Sequence, residues 1–439
     1  MKVAVVYPEV YDLARFKEKR KEFPPFGVLY LSAVMEQAHH QVRVFKVSPG
    51  NEVLDLRGFE AVAFSIPSSA TYGTVKKARF NSCYEGDPLV MIGGVHVNFY
   101  PEKSMNDFKA DVAGIGECEE TILELLDHGK ASDFSSIQGV AYRSNGDIRR
   151  TAPRTLMKEI DVLPLPARHL FSQEDLFMSD RLAGTEVRMA HVMFSRGCPF
   201  PCRFCAAAQT RIQYRSGASA RVELKHLIET YGVNGFAVVD DNFIVNKRKV
   251  LDVCSQITDM QLQWSALSRV DTIDKELLTH MRRAGCIELK FGVESGSQRI
   301  LNAMHKNITP DDIRSALRLA NAAGIQSKIF VIHGYPGENM QSTHETLRLL
   351  EELHPLISRV SLFRFVPLPG THVYNNPELF DIHGTDRDPD WNDSWERYHI
   401  HHNNAHWWGS QKDFEEVNTS YAILNDFVLS NWKEQHQSN

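Results

Sequence analysis

The sequence predicts an α/β protein, with a doubly wound N-terminal domain followed by a partial parallel barrel of six βα units. Three observations predict it. Short apolar runs alternate with amphipathic stretches along most of the chain, and such alternation builds parallel sheets covered by helices. The alternation comes in two series, separated by a proline-broken stretch. The length of 439 residues also exceeds one ordinary domain.

In the first series, Lys2–Tyr7, Val42–Val47, Ala61–Ile66, Leu89–Ile92 and Asp111–Ile115 read as strands. Pro25–Gln37 and Glu119–Leu126 carry apolar residues at helical spacing. These elements place a Rossmann-like domain over residues 1–130. Ligands of such sheets bind outside the carboxyl ends of the strands. Those ends carry Ser65-Ile66-Pro67-Ser68-Ser69, Gly93-Gly94-Val95-His96 and Gly114-Ile115-Gly116-Glu117. Residues 131–185 read as a connector. It holds a hairpin around Asn145-Gly146, then Leu163-Pro164-Leu165-Pro166, which interrupts regular structure.

The second series occupies residues 186–385. Its strands are expected at Met189–Phe194, Phe236–Val239, Gln263–Leu267, Ile287–Val293, Lys328–Ile332 and Arg359–Phe365. The clearest helix is Asp311–Ala323, where Ile313, Ala316, Leu317 and Ala320 share a face behind Thr309 as cap and Pro310 as first residue. Chemistry in a parallel barrel belongs at the C-terminal ends of its strands. Residues 386–439 are left as a short extension.

A hydrophobic share of 43% and a charged share of 24% fit a soluble globular protein. A net charge of −6 gives no general affinity for nucleic acid or anionic lipid. The apolar run at Met1–Val10 contains Pro8 and has neither the basic start nor the cleavage site of a signal peptide. No run reaches the roughly 20 residues of a membrane helix. The expected setting is the cytoplasm, and the odd total of 7 cysteines argues against a disulfide framework.

Three of those cysteines lie together in Ser195-Arg196-Gly197-Cys198-Pro199-Phe200-Pro201-Cys202-Arg203-Phe204-Cys205, at the end of the first barrel strand. The C-x3-C-x2-C spacing suits thiolates wrapped around one face of an iron–sulfur cubane, leaving one iron open. Zinc competes, but structural zinc wants four protein ligands. His191 precedes the loop and reads as a packed strand residue.

This segment resembles the signature of the radical S-adenosylmethionine (SAM) superfamily. The resemblance implies a [4Fe–4S] cluster on Cys198, Cys202 and Cys205, with SAM chelating the open iron through its amino and carboxylate groups. One-electron reduction then cleaves the sulfonium, and the resulting 5′-deoxyadenosyl radical abstracts hydrogen from a small polar substrate. An electron donor such as flavodoxin or ferredoxin is implied. Phe204 matches a position lying along the adenine. Asp240-Asp241-Asn242-Phe243 stands where the superfamily has a segment touching the SAM amino group, or else caps the helix Lys247–Ile257. Arg269 either pairs the SAM carboxylate or a neighbouring acid. Gly292-Val293-Glu294-Ser295-Gly296 resembles the ribose-contacting segment, with Glu294 accepting from vicinal hydroxyls. Gly334-Tyr335-Pro336-Gly337-Glu338 reads as a turn. Val366-Pro367-Leu368-Pro369-Gly370 resembles the adenine-side loop, with Pro367 in it.

The two domains together resemble the cobalamin (B12)-binding branch of the superfamily, which includes methylases, cyclases and lyases. The motifs typical of it here are Pro24-Pro25-Phe26-Gly27-Val28-Leu29-Tyr30-Leu31, Gly93-Gly94-Val95-His96 and Gly114-Ile115-Gly116-Glu117. The resemblance implies cobalamin over the carboxyl edge of the first sheet. Phe26, Gly27, Gly93, Gly94, His96, Gly116 and Glu117 would line it, and Ser65 and Ser68 would stand along the nucleotide tail and corrin edge. The D-x-H-x-x-G motif of other cobalamin proteins is absent, since Asp381-Ile382-His383 is followed by Asp386 where glycine is needed. Many members of the branch lack it. Short members also resemble the aminoglycoside radical diol dehydratases, which do not use cobalamin. Two reactions therefore stand open: methyl transfer, and dehydration of a sugar-like diol. A tRNA methylthiotransferase is disfavoured, because only Cys83 and Cys118 lie in the N-terminal domain and no basic C-terminal module follows. A non-catalytic cobalamin sensor leaves the cysteine loop unexplained.

The tail contains Tyr398-His399-Ile400-His401-His402-Asn403-Asn404-Ala405-His406-Trp407-Trp408. Such a tract packs on a surface, walls a substrate pocket through His401, His402, His406 and Trp407, or binds metal. No residue stands out as a general acid or base.

Overall fold

The structure, a computed structural model, describes residues 1–9, 24–130, 133–182, 185–380, 382 and 411–432. They fall into two units. The first takes Met1–Lys158 and Val162–Leu176; the second takes Glu159–Asp161 and the described chain from Phe177 onward. The substrate patch read at His401, His402, His406 and Trp407 lies outside the described residues.

The first unit is built on β1 (Lys2–Pro8), β2 (Gln41–Val47), β3 (Ala61–Ser65), β4 (Leu89–Gly93) and β5 (Val112–Gly114). Its helices are α1 (Phe26–Gln37), α2 (Tyr72–Asn81), α3 (Val95–Phe99), α4 (Pro101–Phe108) and α5 (Glu119–His128). These five strands pair in parallel in the order β2-β1-β3-β4-β5. Val3, Ala4, Val6, Val62 and Phe64 are almost wholly buried, as a sheet covered on both faces requires. The expected connector hairpin is part of this sheet. β6 (Val140–Ser144) and β7 (Asp147–Arg150) turn at Asn145-Gly146, and β6 pairs antiparallel with β5.

The second unit carries β8 (Phe177–Leu182) and β9 (Thr185–Val192) as an antiparallel pair. A two-residue ladder, β10 (Ser195–Arg196) with β11 (Gln213–Tyr214), follows. The rest alternates regularly: α6 (Gly217–Tyr231), β12 (Gly235–Val238), α7 (Lys247–Ile257), β13 (Gln263–Ser268), α8 (Lys275–Arg283) and β14 (Cys286–Glu294). Then come α9 (Gln298–Ala303), α10 (Pro310–Ala322), β15 (Gln326–His333), α11 (Met340–Leu353), β16 (Ile357–Arg364) and α12 (Gln411–Asn431). From β9 through β12, β13, β14 and β15 to β16 the strands pair in parallel, each with the next, giving the six-stranded open barrel. β8 was not legible in the sequence; it adds an antiparallel strand at the β9 edge.

Helix α10 starts as the sequence implies. Thr309 and Asp312 form a reciprocal capping box and Pro310 is its first residue. Helix α7 is capped by Asn246, whose side chain accepts from Lys249 N, so neither Asp240 nor Asp241 serves as its cap. No helix of the described residues is long and apolar enough to cross a membrane.

Candidate functional site

The cysteine loop leaves the barrel directly after β9, and the β10–β11 ladder pinches its base. Thr210 ties its ends: Cys198 N donates to Thr210 Oγ1 at 2.8 Å, and Thr210 N donates to Cys198 O at 2.9 Å. Gly197 has φ +86°, and a Cβ there would stand 2.4 Å from Arg211 O, so the loop requires glycine at that turn. Further along, Cys205 N donates to Cys202 O and Arg203 N donates to Met304 O. Cys202 is buried and Cys198 and Cys205 are partly exposed, all three as free thiols. Burial pushes the Cys205 thiol up to about 11. Burial also raises Cys202, against the pull of Lys306 and Arg269.

Among the described residues, no three His, Cys, Asp or Glu side chains converge on the position of a single metal ion. Three free thiols on one loop are the donor set of a cubane, which takes each thiolate on a different iron. The donor set on this loop therefore fits an iron–sulfur cluster.

The ends of the neighbouring strands form a linked network. Asp240, past β12, accepts from Phe194 N at 2.9 Å and from Ser195 Oγ at 2.7 Å. It is fully buried, and this burial lifts its carboxyl to about 8 despite those bonds. Asp241 accepts from Gly197 N at 3.1 Å. The Asp240-Asp241 pair thus holds the start of the cysteine loop, with both Asp240 oxygens engaged. Arg269, past β13, resolves to the neighbouring-acid reading: Nε and Nη2 each reach Asp271 at 2.8 Å.

At the end of β14 the chain bulges, and Glu294 takes φ +64°, rare for a residue with a side chain. Its Oε1 accepts from Lys306 Nζ at 2.7 Å, with both side chains over nine-tenths buried. Oε2 has no hydrogen-bond partner among the described residues. Gly292 makes the pair sterically feasible, since a Cβ there would lie 2.5 Å from Glu294 Oε1 and 2.8 Å from Lys306 Nζ. The same ammonium lies 5.7 Å from the centroid of the Phe204 ring. Ser295, read as a ligand residue, faces inward: it is wholly buried and its Oγ meets Thr346 Oγ1 at 3.3 Å. Pro367 follows β16 and is buried. Glu338 accepts from Gly334 N and Tyr335 N, and burial lifts it to about 7.

Lys306 and Asp271 escaped the sequence reading. Asp271 lies two residues beyond Arg269, the only signal for their pairing. Lys306 lies between His305 and Asn307, both at positive φ, in a glycine-free turn that nothing in the composition marks.

The carboxyl edge of the first sheet is of another kind. Gly27 and Gly116 are exposed and have nothing within 4 Å of a notional Cβ. At Gly93 the nearest atom would be Gly114 O at 3.8 Å. Those openings fit the close approach of a broad, flat group. Ser65, Ser68, Phe26 and Glu117 are half-buried beside them. Two expected contacts are internal instead. A Cβ at Gly94 would meet Ile66 O at 2.5 Å, with φ at +110°, so this glycine serves the chain's own crossing. His96 is 2% exposed, bonded to Ser69 Oγ at 3.2 Å and packed on Tyr72 and Tyr100. Its Nδ1 is thus engaged inside the domain.

The profile of the radical SAM superfamily matches residues 192–350, and that of the B12 binding domain matches residues 18–126. The chain belongs to the radical SAM superfamily, in the branch that carries a B12-binding domain, and is an enzyme of that class. It is 30% identical over 364 residues to an uncharacterized methyltransferase of Pyrococcus horikoshii, covering 80% of this chain and 78% of that one. It is 25% identical to the anaerobic magnesium-protoporphyrin IX monomethyl ester cyclase of Cereibacter sphaeroides, over 87% of this chain and 65% of the cyclase. Among solved structures, the radical SAM methyltransferase TsrM of Kitasatospora setae, with cobalamin and a [4Fe–4S] cluster bound, aligns with a TM-score of 0.71 at 15% identity. That alignment covers 98% of this chain and 89% of TsrM, and is a likeness of fold.

Proposed function

We propose that the chain transfers methyl groups to a small polar molecule, using SAM, a [4Fe–4S] cluster on Cys198, Cys202 and Cys205, and cobalamin on its first sheet. The observation that carries this reading is the three-thiol loop set against the Glu294–Lys306 pair. The open glycine edge at Gly27, Gly93 and Gly116 supports the corrin. The P. horikoshii relative, named a methyltransferase, supports the reaction. When bound, the cluster supplies the electron that cleaves SAM and cobalamin carries the methyl group.

The chain's own residues then bind and orient. Phe204 flanks the adenine and Pro367 borders it. Glu294 offers Oε2 to the ribose hydroxyls, while Lys306 holds the carboxylate in place through Oε1. Asp240 and Asp241 fix the first turn of the loop. Electrons come from a flavodoxin- or ferredoxin-type donor.

The test needs no knowledge of the substrate. Anaerobically reconstituted protein is given hydroxocobalamin, SAM and dithionite, and S-adenosylhomocysteine is measured. Release that depends on the added corrin is expected. A reconstituted cluster that cleaves SAM only to 5′-deoxyadenosine, with no corrin-dependent S-adenosylhomocysteine, would overturn methyl transfer.

A further inference from the structure

Arg269 sits at the carboxyl end of β13, where a cation facing an anionic cosubstrate would be expected, yet it is spent inside the protein. It is 5% exposed. Nε and Nη2 make a two-pronged bond to Asp271, and Nη2 also donates to Lys306 O at 2.7 Å. The guanidinium plane lies 3.9 Å from the centroid of Phe200, and Nη1 points at Cys202 Sγ, 3.6 Å away. Phe200 and Cys202 belong to the same turn of the cysteine loop, so a single side chain grips that turn by stacking and by a hydrogen bond to sulfur.

The three thiols are therefore in unequal fields. Cys202 is buried and has Arg269 Nη1 within hydrogen-bond reach of its sulfur. Cys198 and Cys205 are partly exposed. Hydrogen bonds to the sulfurs of an iron–sulfur cluster are among the terms that set its reduction potential, because they stabilise the charge added on reduction.

We propose that Arg269 is a positioning residue of the cysteine loop which, through its N–H···S bond to Cys202, raises the reduction potential of the cluster. Asp271 moderates the effect by neutralising the guanidinium from its far side. The proposal rests on the reading that Cys198, Cys202 and Cys205 hold that cluster.

Two variants test it, both reconstituted anaerobically as the full chain and assayed for iron and sulfide. The midpoint potential is then read by EPR-monitored redox titration. R269Q removes the charge and the fork, and its midpoint should fall below the wild-type value. D271N keeps Arg269 but strips its counter-charge, and its midpoint should rise. Opposite shifts at normal iron content are the expected result, which simple loosening of the loop does not give. An unchanged midpoint in R269Q, or shifts of the same sign in both variants, overturns the proposal. Should R269Q lose its iron, D271N decides alone: a midpoint at or below wild type overturns it. Failure of the cluster assignment reads differently, as iron retained by Cys202→Ala.

Discussion

The carboxyl edges of the two sheets solve different problems. In the barrel, the strand ends carry ionisable side chains, and each is held by a fixed partner: Asp240 by backbone and Ser195, Arg269 by Asp271, Glu294 by Lys306. In the first sheet, the strand ends carry glycine and small polar residues, and its one histidine there is turned inward. A small charged cosubstrate needs fixed partners of opposite sign, already oriented before it arrives. A broad neutral ring system needs empty space close to the backbone. One edge is specified by side chains, the other by their absence.

The largest break in the comparison comes from the cysteine loop. Alanine at Cys202 should abolish iron loading and SAM cleavage altogether, read by iron analysis of the anaerobically reconstituted protein. Full iron content in that variant would sink the ligand set. Next comes the charged network. Glu294→Ala should weaken SAM binding by about 1.5–3 kcal/mol, the scale of a hydrogen bond to a charged group, or roughly ten- to a hundredfold in Kd. Isothermal titration of the reconstituted protein with SAM would show it, and an unaltered Kd would remove Glu294 from the site.

On the glycine-built edge a smaller and purely structural penalty is expected. Gly94→Ala places a Cβ against Ile66 O in a backbone region costing about 1–3 kcal/mol for other residues. Thermal unfolding should move down by several degrees, whereas Gly27→Ala, with open space around it, should leave it unchanged. Equal shifts in both would contradict the distinction. The smallest effect concerns pH. Glu338 has a folded-state value of about 7, raised by burial from 4.5. Its contribution to stability is therefore fully present below about pH 4.5 and lost as pH rises through 7. Glu338→Gln should flatten the pH dependence of stability across that window, and an identical slope in both proteins would refute the assignment.

What was legible in the sequence follows the same division. The barrel strands, the α10 capping box and the cysteine spacing are local patterns, and each stands where the spacing put it, within a few residues. The partners of those residues are not local. Arg269 could be narrowed only to two readings, because a sequence does not say whether an acid two residues on will fold back. Lys306 stands 12 residues from Glu294 and was invisible for the same reason. The hairpin was visible from Asn145-Gly146, but its partner β5 was not, so it read as a connector. β8 lacks any alternation of its own and exists by pairing with β9. Gly94 and His96 have roles within the chain that the sequence did not show, because a glycine demanded by a chain crossing looks, in sequence, like one demanded by a ligand.

The β6–β7 hairpin also settles how the first sheet meets water. A parallel sheet that stops abruptly leaves a row of unpaired backbone groups, an invitation to another chain. Here the last strand, Asp147-Ile148-Arg149-Arg150, is mostly exposed and three of its four residues are charged, so a foreign strand pairing there would have to bury charge. At the opposite margin, β2 carries Arg43, whose guanidinium covers the Phe45 ring at 4.9 Å. On the barrel, the margin at β16 is closed by Trp432, which donates from Nε1 to Ile357 O at 3.1 Å. Three sheet margins are thus guarded against polymerisation, two by charge and one by a tryptophan.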